Sequence, residues 1–319
     1  MKTQTYPKRL LVAGGAGFIG SHLIDALLAS GHAVTCVDNL CLGREGFIRH
    51  HYGNPNFEFC NFDVCDTVRL RALFEKRPFD RVYHLAANSD IQKGGQDPNI
   101  DFNNTFLTTV SVLGAMREYG VQELLFSSSS AVYGNRPGLL REDAGDLRPV
   151  SYYGASKLAS EAFISSHAAM DGLSVNILRF PNVVGPRLTH GVVYDFIAKL
   201  RVNAGILKIL GDGTQQKPYL YVDDLVEAMM SMTYSQGMEI FNVGVGSSTT
   251  VRSIADIVCE EMGLVDVEYK FSGGALGWPG DVPTFCYDLS KIHSLGWKAA
   301  RTSDEAIRLA ARASIPPSW

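Results

Sequence analysis

No stretch of this 319-residue chain holds about 18 consecutive apolar residues, so nothing in it reads as a bilayer span. A basic excess is lacking too: 29 Lys and Arg face 33 Asp and Glu, a net charge of −4, and no polybasic run occurs. Nucleic acid and membrane surfaces are excluded as main partners, because binding them calls for such an excess or stripe. Cysteine is sparse. Cys36, Cys41, Cys60, Cys65, Cys259 and Cys286 contain no CxxC pair and no Cys/His ligand spacing, which argues against a disulfide scaffold. His50-His51 has no third ligand nearby in sequence, so no metal site is expected. The N-terminal residues reach a strand-like run without a cleavable apolar segment, and a cytoplasmic location follows as an expectation. Disorder is excluded by 46% hydrophobic against 19% charged residues. The length suits one large α/β unit or a pair of intertwined lobes.

Glycine is what the chain has in quantity: 31 residues, and their placement carries information. Arg9–Ala13 is a continuous apolar run of the kind buried on both faces of a parallel sheet. GGAGFIG (14–20) follows, then a helical pattern through Leu23, Ala26 and Leu27 that Gly31 stops. Further strand-like runs are Ala33–Asp38, Phe57–Asn61, Arg81–Leu85, Glu123–Ser127 and Ser174–Arg179, with helices predicted from about Asn99 to Tyr119 and over Ser151–Met170. Strands alternating with helices predict a doubly wound parallel sheet. After Arg179, Gly and Pro punctuate shorter elements, and this half is expected to be a smaller substrate lobe. The predicted division is 1–179 with part of 219–254 as one domain, and 180–218 with 255–319 as the other.

Gly14, Gly17 and Gly20 stand at GxxGxxG spacing between a strand and a helix. Gly14 would permit the tight turn, Gly17 the approach of a pyrophosphate, and Gly20 close packing, while the helix N-terminus offers N–H donors. Asp38 ends the next strand, where a carboxylate accepts ribose hydroxyls and repels a 2′-phosphate, so NAD is predicted over NADP. Asp63-Val64 fits a second contact at the adenine. Tyr153 and Lys157 are four apart and share a helix face. An ammonium beside a phenol is expected to lower the phenol's pKa and make it a base towards a sugar hydroxyl. In the serine run Ser127–Ser130, at least one hydroxyl should face the crevice at the strand's carboxyl end, with Ser127 and Ser128 read as structural. His84 reads as a strand residue with a structural hydrogen bond. Trp278 and Trp297 read as packing residues, and Cys36 as a small buried hydrophobe.

Together these residues resemble the extended short-chain dehydrogenase/reductase family, and within it the nucleotide-sugar 4-epimerases. The markers are GGAGFIGSHL (14–23), VDNL (37–40), HLAAN (84–88), SSSSAVYG (127–134), YGASK (153–157), FPNVVGP (180–186), GDGTQQKPYLYVDD (211–224) and WPGD (278–281). The resemblance implies a Rossmann-type α/β fold with a smaller C-terminal substrate-binding lobe. It implies catalytic Ser129, Tyr153 and Lys157, the last two also touching NAD. Gly14, Gly17, Phe18, Ile19, Gly20, Asp38, Asn39, Asp63, Val64, Leu85, Ala86 and Ala87 match the family's NAD contacts. Asn88, Ser129, Ser130, Asn182, Arg187 and Lys217 are the implied contacts to a nucleotide-diphosphate sugar. A homodimer through the predicted helices before Tyr119 and over 152–170 is implied as well.

Chemistry branches just after Ser129. Relatives that dehydrate the sugar carry Asp-Glu next, and UDP-glucuronate decarboxylases keep a Glu two residues on; here Ser130 and Ala131 stand at those positions. Epimerisation at C4 needs no such acid, and interconversion of UDP-glucose and UDP-galactose is the predicted reaction. The alternatives are a dehydratase or 4-keto reductase on the same residues, and a non-catalytic NAD-binding sensor. The family's Asn of NVxGT is replaced by Thr105, with Asn104 beside it. No basic residue accompanies the WPGD segment, and Lys217 and Arg187 are the expected diphosphate clamps.

Overall fold

The structure, a computed structural model, describes residues 7–278 and 280–315. Pro279 of the WPGD segment and the outer ends of the 1–179 and 255–319 spans lie outside the described residues. Seven strands build the main sheet: β1 (Arg9–Ala13), β2 (Ala33–Asp38), β3 (Phe57–Asn61), β4 (Arg81–His84), β5 (Glu123–Ser129), β6 (Ser174–Phe180) and β7 (Gly237–Asn242). Their order is β7-β6-β5-β4-β1-β2-β3, and every pairing is parallel. The strand order reverses between β1 and β4, and the crevice beyond their carboxyl ends is where ligands bind in such sheets.

Period-two alternation explains the cover on both faces. Leu10 and Val12 of β1 join a core with Leu23, Ile24 and Leu27 of α1 (Phe18–Ala29). Leu11 and Ala13 point the other way, into a core with Leu70 and Phe74 of α2 (Thr67–Lys76), Val112 and Met116 of α3 (Thr108–Tyr119), and Ile164 of α4 (Tyr152–Asp171). A third core gathers Phe196 and Leu200 of α5 (Val192–Val202), Ile254 and Val258 of α7 (Val251–Glu261), and Ile307 and Ala310 of α8 (Ser303–Ser314). Between α5 and α7, helix α6 (Val222–Ser231) returns the chain to the first core through Leu225 and Met229.

Two elements differ from the sequence expectation. The helix predicted from Asn99 begins at Pro98, passes through wide π-helical turns over Phe102–Leu107, and only then becomes α3. Such turns recur near functional sites because they redirect side chains within one helix. Asn104 consequently lines the central cleft, whereas Thr105 is buried and accepts the Asn88 backbone N–H at 3.1 Å. Strand β5 also runs on to Ser129 rather than ending at Ser127.

Candidate active site

A cleft of about 800 Å³ opens at the carboxyl ends of the strands. Gly14 follows β1 at φ +79, and a Cβ there would stand 2.6 Å from the Ala86 nitrogen, so the loop after β4 closes against bare backbone. At Gly20 a Cβ would lie 2.3 Å from the Gly14 carbonyl oxygen. Its close packing is therefore against the glycine loop itself, not the sheet. Helix α1 starts at Gly17 without a side-chain cap, leaving its N–H groups open towards the cleft.

Asp38, at the end of β2, is buried and lines the cleft. Its two oxygens accept the Ala16 N–H at 3.0 Å and the Leu40 N–H at 2.8 Å, and each keeps lone-pair capacity for a further donor. Burial pushes this carboxyl above its ordinary value, and the two amides pull it back. Asn39 donates to Asp63 Oδ2 at 2.8 Å, which ties the ends of β2 and β3 together. Phe18, Ile19, Val64, Leu85, Ala86 and Ala87 complete this apolar-walled half. An uncapped helix start, a bare glycine turn and a carboxylate at the next strand end fit the pyrophosphate and adenosine ribose of NAD.

Beyond it lie Ser129, Tyr153 and Lys157. Tyr153 stands in the first turn of α4, which Ser151 caps by accepting the Gly154 N–H at 3.1 Å. A Cβ on Gly154 would sit 2.5 Å from the Ala131 carbonyl oxygen, so the glycine lets α4 begin directly against the turn after β5. That contact brings the phenol to Ser129, whose Oγ also accepts the Ala131 N–H at 3.2 Å. Gly154 went unassigned in the sequence although it sits inside YGASK. Lys157 is 1% exposed, donates to the Ser127 carbonyl at 2.6 Å, and lies 4.7 Å from the Phe126 ring centroid and 5.9 Å from that of Tyr153.

The expected depression of the Tyr153 pKa is not found. Burial pushes the phenol up to about 12, with the Ser129 hydrogen bond opposing and Asp101 adding to the rise. Burial likewise pulls Lys157 down to about 7 against the pull of Glu161 and Asp101. Both charged forms are costly here because the protein alone offers little solvation.

Ser127 and Ser128 hold the frame. Ser127 donates to the His84 carbonyl at 3.2 Å, and Ser128 to Glu161 at 2.5 Å. Glu161 in turn meets Arg179 in a buried two-pronged pair at 2.6 and 3.0 Å. His84 bonds Thr109 at 3.0 Å and is driven down to about 3, mainly by burial.

Two implied substrate contacts require correction. Asn88 does not line the cleft: it is buried, and its side chain donates to Asp101 at 2.8 Å and accepts the Asp90 N–H at 3.1 Å. Arg187 does not line it either, because it pairs with Asp25 of α1 at 2.8 Å. Ser130, Asn182 and Lys217 do line it, Lys217 in an ion pair with Asp281. Trp278, read as a packing residue, is also a cleft wall. Sequence reasoning missed Lys199 on α5, which faces the cleft and pairs with Asp195 at 2.7 Å. Its only sequence signal is an Asp-to-Lys spacing of four.

The chain belongs to the NAD-dependent epimerase/dehydratase family, whose model matches residues 10–244. It is accordingly an enzyme of the nucleotide-sugar epimerase/dehydratase type that works with NAD. UDP-glucose 4-epimerase of Mycolicibacterium smegmatis is 33% identical over 274 residues, covering 84% of this chain and 87% of that one. UDP-glucuronic acid decarboxylase 2 of Arabidopsis thaliana is 32% identical over 260 residues, covering 79% of this chain and 56% of the decarboxylase. The crystal structure of the Thermus thermophilus UDP-glucose 4-epimerase in complex with NAD is similar at a TM-score of 0.85 and 33% identity, covering 96% of this chain and 98% of that one.

Proposed function

We propose that the protein epimerises a nucleotide-diphosphate sugar at C4, with UDP-glucose and UDP-galactose as the substrate pair. The observation that carries this reading is the chemistry available beside Tyr153. One phenol and one serine hydroxyl meet there, and the two residues after Ser129 are Ser130 and Ala131, neither of which is an acid. Ala131 stands where the resemblance puts the decarboxylases' glutamate, and a methyl group cannot move a proton. That weighs against decarboxylation despite the plant relative.

Tyr153 takes the O4 proton and later returns it, while Ser129 hydrogen-bonds O4. NAD, held by the glycine turn, Asp38 and the start of α1, would supply the reversible hydride transfer at C4 that the inversion needs. Lys157 lies 5.9 Å from the Tyr153 ring centroid, and in its charged form it would favour the phenolate during that exchange. Helix α5 begins at Gly191 without a side-chain cap, and Gly191, Val192 and Val193 line the cleft. Its N–H groups, with Lys217 and Lys199, supply the cradle for the diphosphate that Arg187 does not. Asn182 faces the same space.

A homodimer through α3 and α4 forms part of the proposal. It is supported by an aromatic ladder between the π-helical turns before α3 and helix α4: Phe102, Phe106 and Phe163 meet at centroid distances of 5.8 and 5.0 Å, with Phe102 and Phe163 nearly half exposed. All six cysteines are free, in keeping with a cytoplasmic location. The test is incubation with UDP-glucose without added cofactor, followed by anomeric proton NMR. Appearance of UDP-galactose supports the reading; loss of water from the sugar, or its net oxidation with formation of NADH, overturns it.

A further inference from the structure

Two adjacent histidines meet an aspartate from another element at one point outside the cleft. Asp25 stands on α1, and His50 and His51 on the short helical turn Arg49–His51. Both Nε2 atoms reach the same oxygen, Asp25 Oδ1, at 2.9 and 2.6 Å. The three ligand atoms lie within 4.8 Å of one another. The second carboxylate oxygen is held by Arg187 at 2.8 Å. In sequence the aspartate is 25 and 26 residues from the histidines, so no local spacing signals the cluster.

As hydrogen-bond donors to one oxygen, both rings carry their proton on Nε2. In the other neutral tautomer, with the ring proton on Nδ1, each Nε2 presents a lone pair, and the same three atoms face a common point. Two imidazole nitrogens and one carboxylate oxygen suit Zn²⁺, Ni²⁺ or Cu²⁺ better than Mg²⁺ or Ca²⁺. Metal–ligand bonds of about 2.0–2.1 Å set tetrahedral ligands about 3.3 Å apart. The two Nε2–Oδ1 separations would have to widen by only about half an ångström, and the His50 side chain, 48% exposed, is free to turn. That exposure also leaves a coordination position towards solvent. Arg187 works in both directions: it fixes the carboxylate so that Oδ1 stays presented, and its charge opposes a second cation.

We propose that Asp25, His50 and His51 form a binding site for a divalent transition-metal ion, separate from the catalytic cleft, whose affinity Arg187 limits. An ion bound there would clamp the segment before β3 to α1.

The probe is Ni²⁺, titrated calorimetrically into the chelator-treated full-length protein. Wild type is compared with His51→Gln, Arg187→Gln and the double variant Cys41→Ser/Cys286→Ser, which removes the exposed thiols as competing ligands. We expect one equivalent per chain in wild type and in the cysteine variant. Affinity should fall at least tenfold in His51→Gln and rise in Arg187→Gln. Absence of saturable binding in wild type overturns the proposal. So does unchanged binding in a His51→Gln protein that melts like wild type without metal, or loss confined to the cysteine variant. Unchanged affinity in Arg187→Gln contradicts the limit assigned to that residue.

Discussion

Gly154→Ala separates positioning from stability at the catalytic turn. The added Cβ would lie 2.5 Å from the Ala131 carbonyl oxygen and 3.0 Å from Pro149 Cβ, where contacts under 3.0 Å do not occur. The start of α4 must therefore move by at least about 0.5 Å away from the turn after β5. Alanine favours a helix over glycine by at most about 1 kcal/mol, and overpacking costs about 1–3 kcal/mol, so the net loss of stability should stay within about 3 kcal/mol. Catalysis should suffer more. A 1 Å misplacement costs about a hundredfold in rate, and Tyr153 moves with the helix while Ser129 stays on β5. The expected kcat is about ten- to a hundredfold below wild type, with the protein folded and NAD bound. Urea melts, NAD content and initial rates on the same preparation check this. A folded variant with kcat within twofold of wild type would refute the claim that this glycine sets the Tyr153–Ser129 contact.

Tyr153→Phe should lower kcat by about a hundredfold to ten-thousandfold while leaving NAD binding intact, measured by single-turnover rates and bound-cofactor absorbance. Asp38→Asn should raise affinity for NADP relative to NAD by at least about tenfold, since it removes the charge that repels a 2′-phosphate; competition binding reads the ratio. His84 is neutral in the fold down to about pH 3, whereas in the unfolded chain it protonates below about 6.5. The unfolded state then binds more protons, so stability falls as pH drops from 6.5 towards 3. At pH 4.5 the two-unit gap amounts to about 3 kcal/mol, and His84→Gln should lose that much less than wild type between urea melts at pH 7.5 and 4.5.

The sheet could be read from the chain because strands buried on both faces are short apolar runs, and the glycine loop because Gly14 must take a conformation that side chains avoid. Tyr153 and Lys157 were visible through helical spacing. What escaped depends on partners far away in sequence. Arg187 looks like a free cation until α1 folds beside it and Asp25 takes it, 162 residues upstream. Asn88 looks like a pocket residue until Asp101 and Thr105 claim it, and the π-helical turns that follow Asp101 and carry Thr105 leave no mark in the local pattern. The Tyr153 pKa was misjudged for a related reason: spacing shows that Lys157 is near, but not that both groups are removed from water.

The central claim is that hydride leaves C4 and returns to C4 of the same sugar. Conversion of UDP-glucose deuterated at C4, in ordinary water, tests it most directly. The account predicts UDP-galactose with deuterium retained at C4 and no net change in cofactor. Protium at C4, or a product that has lost water, would contradict it.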